Sequence, residues 1–186
     1  MSQHPANCDA PVLVPAPAKR PLRMTGAMHH LALRRDDGGV LFGAASDRDR
    51  LDHRVGDLLI AHAARAHAYC WMSNHVHLAL EIAPEVAADF QCELAGALGI
   101  DDELTPPLVV DAQAYLLRLV RYIHLNPVTA GLVADPVDYP WSGHRVYLGL
   151  AGVPWLAMNH VLRLLGGDLL YATEAYRAYV RPGVLY

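Results

Sequence analysis

The sequence predicts an α+β fold, helices packed on an antiparallel sheet, and three observations carry that expectation. Segments with strand character, AMHHLALRR at 27–35 and AYCWMSNHVHLALEI at 68–82, are bounded or interrupted by turn residues. Longer segments place apolar residues at helical spacing, as Leu51, Val55, Leu58 and Leu59 do. With 186 residues, 53% of them hydrophobic and 18% charged, the chain can bury a core without disulfides or a structural metal.

Taken in order, residues 1–24 are rich in Pro and Ala without a period and read as a flexible tail. The first strand at 27–35 ends in an Asp-Asp-Gly-Gly turn at 36–39. Ser46 is placed to cap a helix running to about His67, with Ala63 extending its apolar stripe. Ser73-Asn74 divides the next run into two extended pieces. Pro84 opens a helix with acids in its first turn, and IDDELTPP is a loop. Asp111 caps a helix from Ala112 to about Asn126, because Pro127 disfavours helical geometry in the residue before it. Two further helical stretches follow near 142–149 and 159–181, and no segment repeats.

The formal net charge of -4 hides an uneven distribution. Residues 83–112 hold seven acids and no Lys or Arg, and the rest of the chain sums to +3. A polyanion is therefore expected to dock away from that acidic stretch. No run approaches 18 uninterrupted apolar residues, so no membrane contact is expected. Three cysteines without CxxC spacing fit a reducing, cytoplasmic location.

His75 and His77 stand two apart on a strand and so project from one face, with Val76 on the other. Imidazoles about 6–7 Å apart in backbone register can share one divalent cation and leave it open positions. In a chain with eleven histidines the pair alone is a weak signal, and solvent-facing strand histidines are the ordinary reading. Strand parity puts Glu81 on the same face, as an extra ligand or, more ordinarily, a surface acid.

The second informative stretch is AYLLRLVRYIHLNPVTAGLV at 114–133, whose core stripe is Leu116, Leu119, Val120 and Ile123. Tyr122 and Asn126 are four apart and share a helix face, with Arg118 one turn before. A phenol with a free pKa of about 10 needs a cation or metal to attack a phosphate. The Asn126 amide oxygen could complete a metal shell, Tyr122 could address the bound phosphate, and Arg118 could steady it. A boundary tyrosine and a helix-ending asparagine are the ordinary alternatives. His124 lies off this face and reads as a surface or core-edge residue.

Together these blocks resemble the REP-associated single-tyrosine transposases. YCWMSNHVHLALEI is similar to that family's His-hydrophobic-His (HUH) signature strand, with Ser73 where proline is common. YIHLNPVTAGLVADPVDYPWSGHRVYLG at 122–149 resembles its tyrosine-helix block, and the opening strand and closing helices fit in order. The resemblance implies a ferredoxin-like antiparallel sheet with helices at 25–150 and a small C-terminal helical extension at 151–186. It implies Mg²⁺ or Mn²⁺ held by His75, His77 and Asn126, and Tyr122 as nucleophile. The implied substrate is single-stranded or hairpin DNA, cut through a 5′-phosphotyrosine intermediate and rejoined without ATP. Arg34, Arg35, Arg118 and Arg145 are the candidate DNA contacts, and a homodimer is a candidate assembly.

The chain departs from that pattern where relatives carry a basic, DNA-touching segment, since here the acidic stretch 83–112 stands. Two competing readings follow. One is a relative that folds without cutting DNA, and the other is a non-catalytic protein meeting a basic partner through its acidic helix at 84–98.

Overall fold

The computed structural model describes residues 26–101, 103–110, 112–166 and 169–183. The Pro/Ala-rich tail and Asp111, the expected cap, lie outside these residues. Strands β1 (Ala27–Arg34), β2 (Arg65–Trp71), β3 (His75–Ile82) and β4 (Leu108–Val110) form one sheet in the order β2-β3-β1-β4. Every neighbouring pair is antiparallel, and helices α1 (Ala45–Ala61) and α2 (Pro84–Ala97) provide the crossovers. This is the ferredoxin-like split βαβ arrangement.

The period-two pattern of β3 sorts its side chains. Val76, Leu78, Leu80 and Ile82 are buried on one face, and His75, His77, Ala79 and Glu81 occupy the other. Helix α1 covers the first face: Asp52 accepts the indole N–H of Trp71, the cross-strand partner of Val76, at 2.7 Å. Helix α2 packs on α1, with Phe90 edge-on to His62 and Glu93 paired to Arg54 at 3.2 Å and His62 at 3.0 Å. The acid-bearing helix thus belongs to the layer away from His75 and His77.

Helix α3 (Ala112–Thr129) lies on the histidine face, burying the expected stripe of Leu116, Leu119, Val120 and Ile123. Buried Ala68 and Ala79 beneath it let the helix approach the sheet closely. Contrary to expectation, α3 does not stop at Asn126 but carries Pro127 inside its last turn. Proline there removes one N–H from a turn that is about to end, and Gly131, at φ 69°, then reverses the chain. Helix α1 also differs from its expected span. The Asp47 carboxylate accepts the Ala44 N–H at 2.7 Å, so the helix starts at Ala45 without a Ser46 cap. It ends at Ala61 because Ala63 turns left-handed at φ 50°, leaving His67 in β2.

The segment after α3 closes the open edge of β2. The Trp71 N–H donates to the Trp141 carbonyl, Gly143 to Tyr69 and Ala157 to Ala66, at 2.8–3.0 Å. A 3₁₀ turn at Pro136–Asp138 leads to α4 (His144–Tyr147), α5 (Asn159–Leu165) and α6 (Leu169–Tyr179). The single helix expected at 159–181 is two, broken at Gly166, where an added Cβ would sit 2.6 Å from the Tyr171 ring.

A buried polar node joins these elements. The Tyr176 hydroxyl lies 2.7 Å from His144 Nδ1 and 2.8 Å from His124 Nδ1. His124 is therefore not at the surface but fully buried. Burial holds His124 well below the ordinary imidazole range. It also lowers His144 to about 4, with Asp135 opposing and Arg177 reinforcing the shift. Below about pH 6.5 the unfolded chain takes up protons that the folded chain refuses, so stability falls as pH drops toward 4. The slope approaches about 1.4 kcal/mol per pH unit for each histidine. Urea midpoints at pH 7.5 and pH 5 check this, and a midpoint independent of pH contradicts it.

Candidate active site

β3 and β1 pair along all eight positions, which fixes the site's backbone. Arg34 lies opposite His75, Ala32 opposite His77 and His30 opposite Ala79. Cross-strand partners share a face, so His30 points to the same side as the His75 and His77 pair, one diagonal step away. Above them, α3 presents Tyr122 and, one turn later, Asn126.

Five side chains from three elements meet here. The His75 and His77 rings are 4.8 Å apart, centre to centre, and nearly perpendicular at 80°. His30 meets His77 end-on, ring centres 5.2 Å apart and planes 26° apart, with its Nε2 3.1 Å from His77 Nδ1. The Tyr122 ring stands edge-on to both, 5.5 Å from His77 and 5.6 Å from His30. The Asn126 carboxamide stands near both His75 and His77, opposing the lowering of their pKa, and its N–H₂ donates to the Tyr122 carbonyl at 3.1 Å. Tyr122 is 52% exposed while His77 is 6% exposed, so the phenol faces solvent above a buried imidazole.

The electrostatics favour neutral rings. Burial pushes His77 down to about 3, reinforced by His75 and His30 and opposed by Asn126. Burial likewise lowers His75 and His30. A neutral imidazole has one N–H and one lone pair. Nδ1 of His75 faces the Asn74 side-chain oxygen at 2.8 Å and Nδ1 of His77 faces His30, leaving Nε2 of each ring for a ligand.

Among the described residues no three His, Cys, Asp or Glu side chains are gathered into a metal-holding group. The donor set is two imidazoles and a carboxamide oxygen. Such a partial shell fits a divalent cation that keeps waters or takes a phosphate oxygen. Glu81 adds nothing to it. It is buried four residues along β3, neither ligand nor surface acid, and is held by Arg65 and His67 at 3.0 Å each.

The four expected DNA-contact arginines separate. Arg118 is exposed and lines a groove of about 290 Å³ with Arg121, Tyr122, Leu125, Thr129 and Tyr179. Arg34 is exposed beside His75. Arg35 pairs with Asp37 at 3.0 Å in the turn after β1, and Arg145 donates to the Val137 carbonyl at 2.9 Å. A larger cavity of about 740 Å³, lined by Asp52, Gly56 and Trp155, lies beside α1 and holds none of the clustered residues.

Sequence reasoning missed His30. A signal existed in the adjacent pair His29-His30, since one member of any adjacent strand pair must face the histidine side. The partner His29 points the other way and is buried, its Nδ1 3.0 Å from the Ala27 carbonyl.

No family model matches the chain, and no curated protein matches it. Among solved structures it is similar to a REP-associated tyrosine transposase bound to a REP hairpin. The identity is 19% and the TM-score 0.53, over 74% of this chain and 90% of that one. A likeness at that identity shows the fold.

Proposed function

We propose that this chain is a metal-dependent single-strand DNA endonuclease and strand transferase that works through a 5′-phosphotyrosine on Tyr122. The observation that carries the reading is the Tyr122 ring 5.5 Å from His77, whose own ring is 4.8 Å from that of His75, with Asn126 one helical turn after the tyrosine. A nucleophile-bearing residue, a partial cation shell and solvent access coincide at one point.

His75, His77 and Asn126 would hold Mg²⁺ or Mn²⁺. When bound, such an ion polarises a phosphate oxygen and offsets charge developing on it. Tyr122 gives up its phenolic proton and its oxygen attacks phosphorus. The new Tyr–O–P bond replaces the bond to the upstream 3′ oxygen, which leaves and gains a proton as a 3′-hydroxyl. Attack by a 3′-hydroxyl on the phosphotyrosine reverses the step, so rejoining needs no ATP. Arg118 and Arg34 contact flanking phosphates, and the half-buried Tyr179, lining the same groove as Arg118, offers a base a ring to rest on.

The similar solved structure holds a REP hairpin, which supports a structured single strand as substrate. The acids of α2 do not oppose this reading, because α2 packs on α1 beyond the sheet and Glu93 is already paired. Incubation with a 3′-end-labelled hairpin strand and Mn²⁺ tests it. A labelled protein band that survives SDS and disappears with EDTA is expected. Hairpin binding without that band would identify a relative that folds but does not cut.

A further inference from the structure

We propose that His30 is a positioning residue of this centre, accepting the Nδ1–H of His77 on its own Nε2 and so turning the His77 Nε2 lone pair toward the cation. The inference rests on the proposed function and adds a residue to its site.

The geometry is specific. Two imidazole nitrogens 3.1 Å apart can share only one proton, so the facing pair is either His77 Nδ1–H donating to His30 or the reverse. In the reverse case the His77 proton sits on Nε2 and closes that nitrogen to a metal. A histidine that binds a metal through one ring nitrogen generally donates the other N–H to a fixed acceptor. For His75 that acceptor is local, the Asn74 side-chain oxygen at 2.8 Å. For His77 the acceptor comes from the neighbouring strand, and the β1–β3 register sets it in place.

His30 is itself held. Its ring lies within 26° of the plane of His77, as an in-plane N–H···N bond requires, and meets the Tyr122 ring edge-on at 5.6 Å. Small neighbours, Ala32 and Ala79, leave room for the ring to lie across the strand pair. One side chain thus braces both the buried ligand and the nucleophile's ring.

Mn²⁺ affinity measured by calorimetry on the full chain, without DNA, tests the inference. His30→Ala is expected to weaken Mn²⁺ binding by about 10–100-fold, the usual effect of losing such a supporting partner. His30→Gln, whose carboxamide oxygen can accept the same N–H, is expected to recover most of it. Imidazole ¹⁵N shifts of the unmodified protein should show His77 protonated on Nδ1, a readout that needs no variant to fold. Unchanged affinity in His30→Ala, or a His77 proton on Nε2, overturns the role of His30 and leaves the proposed function standing. A wild-type chain that binds no Mn²⁺ overturns both.

Discussion

Tyr122→Phe is expected to remove the covalent protein–DNA adduct to below about one part in a thousand, while leaving fold and Mn²⁺ affinity intact. The substitution deletes one oxygen and keeps the ring that packs edge-on against His77 and His30. Because the residue is half exposed, the stability change should stay within about 0.5 kcal/mol. Adduct yield, urea midpoint and Mn²⁺ calorimetry on one preparation separate lost chemistry from lost structure. Residual adduct would pass the nucleophile's role to a neighbouring phenol. Tyr115, two turns earlier on α3, and Tyr179, lining the same groove as Tyr122, are the alternatives to substitute next.

His77→Ala is expected to produce the second large effect, a loss of Mn²⁺ affinity exceeding the 10–100-fold typical of a supporting residue. His77 is the more buried member of the pair and the one that both His30 and Tyr122 meet. Its removal takes away a donor nitrogen and strands His30 Nε2 without its partner. Cleavage should fall in parallel and should not be restored at millimolar Mn²⁺. His53→Ala, on the exposed side of α1, is the matched control and should bind Mn²⁺ as the unmodified chain does. Equal affinities in the two variants would place the cation elsewhere.

Much of this site was legible because it is built from short-range periodicities. Alternation along β3 puts His75 and His77 on one face and Val76, Leu78, Leu80 and Ile82 on the other, whatever the strand pairs with. The four-residue spacing of Tyr122 and Asn126 does the same on a helix, and the stripe from Leu116 to Ile123 identifies the buried side. What remained hidden depends on pairing between distant segments. His30 enters the site only through the β1–β3 register, and His124 is buried only because α4 and α6 bring His144 and Tyr176 over it. Helix ends were misjudged where a backbone feature overrode side-chain preference. Ala63 adopts a left-handed turn that sequence does not announce, and Pro127 is tolerated because it falls in a final turn. Strand β4 escaped notice as well. It is three residues long, and Leu108 and Val109 are exposed at the sheet edge.

Paramagnetic broadening by Mn²⁺ tests most directly whether two imidazoles and a phenol share one centre. Substoichiometric Mn²⁺ should selectively broaden the ring resonances of His75, His77 and Tyr122, and leave those of Tyr171, exposed on α6, sharp. A Tyr122 ring that stays sharp while Mn²⁺ saturates the histidines, or histidines that never respond, would contradict the convergence on which the proposed chemistry depends.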